Sequence, residues 1–99
     1  IIFFFDSSIN SERQGNVLTK YREDVDNSTS VFAYNLEVNN SKVLDVLKTD
    51  FNVSEGPAIA INGRDTYRGY VPLKQLKQIM EENRTTNKTR KQINLTEVN

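Results

Sequence analysis

The chain has 99 residues, enough for one small domain, and its 36% hydrophobic and 26% charged residues are ordinary for a globular chain with a modest core. Its 13 basic and 13 acidic side chains balance, so net charge gives no indication of nucleic-acid binding, and no apolar run approaches the roughly 20 residues of a membrane span. Because the chain has neither cysteine nor histidine, disulfides, thiol catalysis, Cys/His zinc sites and histidine-based triads are excluded, and we expect no cofactor.

The first predicted elements are a strand and a helix. Residues 1–5 are apolar without alternation, which is typical of a strand covered on both faces. Turn residues follow from Asp6, and Ser11 with Gln14 has the spacing of a capping box. The acidic stretch at residues 24–28, which ends the helix, lacks the glycine and glutamate of a calcium loop, so no metal site is predicted. The apolar stripe of the helix should consist of Val17, Leu18, Tyr21 and Val25.

A second strand and a second helix are predicted next. Residues 29–36 are rich in β-forming side chains, so strand, helix and strand should form a right-handed βαβ unit with parallel strands. Asn40 or Ser41 can cap the second helix. The apolar face of this helix should consist of Val43, Leu44, Val46 and Leu47.

The next stretch predicts a β-hairpin and a third helix. Residues 58–61 are apolar, Asn62-Gly63 supplies turn residues that tolerate positive φ, and residues 66–70 form the returning strand. Pro57 stands just before the first strand, where its missing N–H is tolerated. Pro72 suits the first turn of a helix. The buried stripe of that helix should consist of Leu73, Leu76, Ile79 and Met80.

The composition changes near the end of the chain. The last stretch carries four basic residues against one acidic residue, a net charge of +3, whereas residues 1–82 carry nine basic and twelve acidic residues, a net charge of −3. We therefore predict a domain over residues 1–82 and a polar linker or tail over residues 83–99, which is either a frayed terminus or the approach to a strand of another domain. Met80 is the only methionine and the chain starts inside an apolar run, so we expect it to be part of a longer protein.

The predicted order β-α-β-α-β-β-α resembles the thioredoxin fold. Phe3-Phe4-Phe5-Asp6 resembles the central strand of that family, and Gly56-Pro57-Ala58-Ile59 resembles its cis-proline strand. Asn62-Gly63 and Gly69 resemble its closing hairpin. The resemblance covers residues 1–82 and implies an α/β fold with a four-stranded mixed sheet, helices on both faces and a cis bond before Pro57.

The redox motif of that family, Cys-x-x-Cys at the start of the first helix, is replaced here. The matching stretch is Ser8-Ile9-Asn10-Ser11. A serine hydroxyl has no accessible redox couple and cannot exchange with a disulfide, so the chain as it stands should be redox-inactive. The other interpretation is that Ser8 and Ser11 are ordinary helix-capping residues.

The resemblance also implies a peptide groove between the first helix and the proline loop. We therefore expect a non-catalytic domain of a larger protein that binds a protein or an extended peptide, with no nucleic-acid or membrane contact by this fragment. The alternatives are a thiol-disulfide oxidoreductase domain whose active-site cysteines are replaced by serine, and a structural spacer without a ligand. By position, the groove is made of Ser8, Ile9, Asn10 and Ser11 facing Glu55, Gly56 and Pro57.

Asparagine sequons are more frequent than chance predicts. With twelve Asn and fifteen Ser plus Thr, about two Asn-x-Ser/Thr sites are expected, and six are present. Either the chain belongs to an exported glycoprotein, or an Asn-rich chain has acquired sequons by composition. A glycan on Asn52 could cover the expected binding face. The six sites are Asn27, Asn39, Asn52, Asn83, Asn87 and Asn94.

Overall fold

The chain folds in the β-α-β-α-β-β-α order that its sequence predicts. A computed structural model describes residues 1–63 and 65–83; the predicted tail beyond residue 83, with Asn87 and Asn94, lies outside the described residues. None of the helices in the described part has the length and apolarity that crossing a bilayer requires. The elements are β1 (Ile2–Phe5), α1 (Ile9–Asp24), β2 (Phe32–Asn35), α2 (Lys42–Phe51), β3 (Ala58–Ile61), β4 (Asp65–Arg68) and α3 (residues 73–83).

The four strands form one mixed sheet in the order β2-β1-β3-β4. β1 and β2 are parallel, as the predicted βαβ unit requires, whereas β3 runs antiparallel to both β1 and β4. The turn between β3 and β4 places Asn62 at φ 56° and Gly63 at φ 69°, positive values that asparagine and glycine tolerate better than other residues. This α/β topology with a four-stranded mixed sheet is compatible with a thioredoxin-like arrangement, so the fold-class prediction is confirmed.

Helices cover both faces of the sheet because side chains alternate along its two central strands. Phe3, Ile59 and Ile61 point to one face, where they pack in a cluster with buried residues of α1 and α3. Phe4, Ala58 and Ala60 point to the other face, where Leu44 of α2 and Val53 complete a second cluster. β3 is therefore buried along its whole length. The two central strands are packed on both faces, and they position the loops at their ends.

The predicted apolar stripes of the first two helices are only partly correct. In α1, Leu18 and Tyr21 are buried, but Val25 is exposed at the C-cap. In α2, Leu44 faces the core, whereas the side chains of Val43 and Val46 are 63% and 57% exposed. Hydrophobicity alone does not identify which side of a helix meets the sheet.

The second strand is also shorter than predicted, covering Phe32–Asn35 and not residues 29–36. It lies at the edge of the sheet, where Phe32 is largely exposed. The β-forming residues around it indicated a strand, but pairing with the four residues of β1 limits its length.

One buried glutamine joins α1 to the start of α3. The side-chain Nε2 of Gln14 donates to the carbonyl of Val71 at 3.1 Å, and Gln14 Oε1 accepts from the Val71 backbone N–H at 2.6 Å. Gln14 is fully buried, so its amide supplies the partners that the Val71 backbone would otherwise lack. This residue is not part of a capping box, and that prediction is wrong.

Candidate functional site

The site is centred on the residues between β1 and the first turn of α1. Ser8 is the N-cap: its φ and ψ of −71° and 156° are extended, and its hydroxyl accepts the Ser11 backbone N–H at 3.2 Å. This is the usual role of serine at a helix start, where the first N–H groups have no partner within the helix. Ser11 lies inside the first turn and does not cap the helix.

Asp6 links three segments of the chain. Its Oδ1 accepts hydrogen bonds from the Ser8 backbone N–H at 3.0 Å and from the Ser11 hydroxyl at 2.8 Å. Its Oδ2 accepts from the backbone N–H of Gly56 at 3.0 Å, a contact across 50 residues of sequence. One carboxylate therefore joins the end of β1, the start of α1 and the proline loop.

These hydrogen bonds hold the pKa of Asp6 well below its ordinary value. The largest effects come from the hydroxyl and the backbone N–H of Ser8, followed by the Ser11 hydroxyl, while a smaller desolvation effect acts in the opposite direction. Donors that favour the charged form keep Asp6 ionised at neutral pH. Asp6 therefore acts there as a hydrogen-bond acceptor and not as a general acid.

Ser11 is fully engaged within the protein. Its side chain is buried, at 2% exposure. Its hydroxyl accepts the Asp6 backbone N–H at 3.0 Å and donates to the Asp6 carboxylate. The Ser11 hydroxyl is therefore used in hydrogen bonds within the protein and is not presented to solvent as a reactive group.

Gly56 is required by the close approach of the proline loop to this turn. A Cβ at Gly56 would lie 2.8 Å from Ser11 Oγ and 2.9 Å from the backbone nitrogen of Asp6, closer than real side chains come. The Gly56–Pro57 peptide bond is cis, and the carbonyl of Pro57 accepts the backbone N–H of Gly69 at 2.9 Å. The proline loop is thus attached to α1 on one side and to the end of β4 on the other.

The seven residues expected to form a groove separate into two groups. Ser11, Gly56 and Pro57 are buried or half-buried and belong to the supporting frame. The others are exposed, and Ile9 has 75% of its surface accessible to solvent. We call the exposed group, made of Ser8, Ile9, Asn10 and Glu55, the candidate face.

The Gly56 backbone limits how a peptide could bind at this place. Its N–H is already used by Asp6, so an incoming strand cannot take that donor without breaking the bond. The sequence-based interpretation placed Asp6 at the end of the first strand and gave it no role in the site. The sequence feature that could have identified Asp6 is its position: this carboxylate directly follows a buried strand and stands two residues before a capping serine.

Two further features surround the candidate face. Ser7 donates a hydrogen bond to Glu37 Oε2 at 3.2 Å, which links the turn before α1 to the loop after β2. A depression of about 390 Å³ lies beside Asp6 and Ser11, and Phe3 and Phe5 form part of its wall.

Within the described residues, no group of three acidic side chains is arranged to hold a metal ion. The site offers hydrogen bonding and apolar contact, which suits binding.

The described sequon asparagines differ in accessibility. Asn27, Asn39 and Asn52 are exposed, and Asn52 is the left-handed C-cap of α2 with φ 54°. Asn83 is half-buried, and its side-chain amide bonds both Asn62 and the carbonyl of Ile79 at 3.4 Å. A glycan on Asn83 would have to displace these contacts.

Comparisons of the chain with models of known protein families, with curated proteins and with solved structures find no match. The fold by itself does not assign a function, because one fold hosts many unrelated activities. The residues of the candidate face and its supporting frame are therefore the basis for a functional assignment.

Proposed function

We propose that this chain contains a non-catalytic, thioredoxin-like domain that binds a protein or an extended peptide at the candidate face. The observation that carries the proposal is the exposure of Ile9 beside a rigid polar frame. Ile9 is the first residue of α1 and is 75% exposed, so its apolar side chain is available as an anchor for a partner. Fully covering such a side chain gains about 1.5–3 kcal/mol of hydrophobic free energy, from which the costs of association are subtracted.

The supporting frame favours binding because it is already ordered. Asp6 fixes the first turn of α1 to the proline loop through its bonds to Ser11 and Gly56. A surface held in this way loses little conformational freedom when a partner docks, and that loss is a main cost of association.

The chemistry of the residues supports binding over catalysis. The chain has no cysteine, so disulfide exchange is excluded by composition. The hydroxyl of Ser11 is occupied by Asp6, and no histidine is present to activate either Ser8 or Ser11 as a nucleophile.

A selection from a displayed library of random peptides tests this proposal. We expect the enriched peptides to lose at least tenfold in affinity for the Ile9→Asp variant, because an aspartate at the centre of the contact would have to be desolvated. Val43→Asp is the matched control, since Val43 is similarly exposed but lies on α2. Failure to enrich any peptide, or equal binding to Ile9→Asp, would contradict the proposal.

A second candidate is a domain related to thiol-disulfide oxidoreductases in which serine has replaced both cysteines. What favours it is that Ser8, the N-cap of α1, and Ser11, in its first turn, lie three residues apart, with Ser11 Oγ close to the Gly56 backbone. Placing cysteine at both positions and measuring whether the two thiols form a disulfide tests this interpretation.

The excess of sequons supports a further proposal, that the parent protein is exported and glycosylated. Asn27 and Asn39 are exposed in loops, where a glycan meets no obstacle. Expression through a eukaryotic secretory pathway should give a product whose mass falls on enzymatic deglycosylation. Asn27→Gln and Asn39→Gln should each remove one glycan, whereas Asn16→Gln, at an exposed asparagine outside any sequon, should remove none. An unmodified secreted chain would contradict this proposal.

A further inference from the structure

A second surface lies between α1 and the segment that leads into α3. It is a groove of about 330 Å³ with three partly buried apolar residues and three exposed polar residues in its lining. None of the lining residues is acidic. We call it the basic groove; its lining consists of Arg13, Asn16, Val17, Lys20, Tyr70 and Leu73.

Arg13 is held at one end of the basic groove by an aromatic ring. Its guanidinium carbon lies 4.6 Å from the centroid of the Tyr70 ring, within the range of a cation–π contact. Within residues 1–63 and 65–83, Arg13 forms no ion pair with an acidic side chain and donates no hydrogen bond. Its planar set of N–H donors is therefore positioned and available, which is the arrangement that suits a carboxylate.

Lys20 supplies a second cation two helical turns further along α1. Its Nζ lies 3.3 Å from Asp24 Oδ2, and both side chains are more than half exposed. Exposed ion pairs of this kind contribute little to stability, so Lys20 can exchange its partner for a ligand carboxylate. Seven residues of helix place Arg13 and Lys20 about 10 Å apart along the axis.

We propose that the basic groove binds an acidic peptide segment of another protein. In an extended polyproline conformation, residues three apart lie on one side and are separated by about 9 Å. Two carboxylates at that spacing reach Arg13 and Lys20, and an apolar residue between them contacts Val17 and Leu73. The chain's own C-terminal stretch does not suit this groove, because it carries four basic residues against one acidic residue. This inference stands on its own residues and does not depend on the candidate face.

The test is an NMR titration of the isotopically labelled chain with a peptide of sequence Gly-Glu-Leu-Pro-Glu-Gly. We expect saturable shifts in the amides of Arg13, Tyr70 and Leu73. Arg13→Gln should weaken binding about tenfold or more, because it removes a charge-assisted bidentate contact. Arg22→Gln is the matched control, an exposed arginine on the same helix outside the groove, and it should leave the affinity unchanged. Replacing both glutamates of the peptide by glutamine should abolish binding.

Several outcomes would overturn this inference. One is the absence of saturable shifts through millimolar peptide, and another is an affinity that Arg13→Gln and Arg22→Gln lower equally. Tighter binding of a single-stranded oligonucleotide at the same residues would assign the groove to nucleic acid. A dimer that Arg13→Gln dissociates would assign it to a second copy of the chain. Ile9→Ser, which adds no charge one helical turn from Arg13, separates the two surfaces: if it abolishes binding of the acidic peptide, the peptide uses the candidate face and the basic groove is not the site.

Discussion

At the residue scale, Asp6 is the side chain that holds the frame of the site together. This carboxylate accepts hydrogen bonds from Ser8, Ser11 and Gly56, and these bonds hold its pKa below the ordinary value. A group whose pKa is lower in the folded state stabilises the fold above the unfolded pKa. That stability is lost as the pH falls through the folded-state pKa.

The first prediction follows from this linkage. Asp6→Asn should lower the free energy of unfolding at pH 7 by about 1–2 kcal/mol, since it removes charged hydrogen bonds at a partly exposed site. The difference from wild type should narrow as the pH falls below the ordinary aspartate value of 3.8. Urea unfolding over a pH series measures this difference in the free energy of unfolding. Asp50→Asn, at an exposed aspartate, is the control. Equal stability at pH 7, or a difference that grows on acidification, would rule out this role.

The second prediction compares two glycines. Gly56→Ala should lower the free energy of unfolding by about 1–3 kcal/mol, because its Cβ would lie 2.8 Å from Ser11 Oγ. Gly15→Ala is the contrasting change: its Cβ would meet Phe3 at an ordinary 3.6 Å, and alanine favours a helix interior by up to about 1 kcal/mol. Thermal unfolding should therefore move in opposite directions for the two variants. A neutral Gly56→Ala would show that the proline loop is not packed against α1 as described.

At the element scale, Gln14 attaches α1 to the segment before α3. Gln14→Leu keeps most of the side-chain volume but leaves the buried N–H and carbonyl of Val71 without partners. We expect a loss of about 2–4 kcal/mol in the free energy of unfolding and faster hydrogen exchange at the Val71 amide. Gln75→Leu, an exposed change on α3, should stay within about 0.5 kcal/mol of wild type. Unaltered exchange at Val71 would contradict the proposed attachment.

The oxidoreductase alternative can be tested by placing cysteines at the start of α1. If Ser8 and Ser11 occupy redox-motif positions, Ser8→Cys combined with Ser11→Cys should give a pair that closes to an intramolecular disulfide on mild oxidation. Titration of free thiols measures this, and each single variant should keep one free thiol. Two persistently free thiols in a folded double variant would contradict the oxidoreductase alternative and favour the interpretation of Ser8 as an ordinary helix cap.

At the scale of the whole molecule, the order of elements could be predicted from the sequence because its signals are local. The apolar run of β1, the Asn62-Gly63 turn and the position of Pro72 each indicate an element without reference to distant residues. These local signals predict the order of the elements. The four-stranded mixed sheet with helices on both faces was implied by the resemblance to the thioredoxin fold, and the structure has it.

The frame of the candidate site could not be predicted in the same way. Asp6 meets Gly56 across 50 residues, and Gln14 meets Val71 across 57, so neither contact has a signature in the local sequence. The spacing of Ser11 and Gln14 predicts a capping box, but the Gln14 amide bonds the Val71 backbone instead. The sequence predicts Val43 and Val46 on the apolar face of α2, but both are exposed, since hydrophobicity does not show which side of α2 meets the sheet.

The central claim is that the candidate face binds a peptide, and NMR shift mapping with the tightest peptide from the library selection tests it most directly. We expect the largest amide shifts at Ile9, Asn10, Glu55 and Gly56, and we expect Ile9→Asp to abolish them. Shifts confined to another surface, such as α2 around Val43, would contradict the claim.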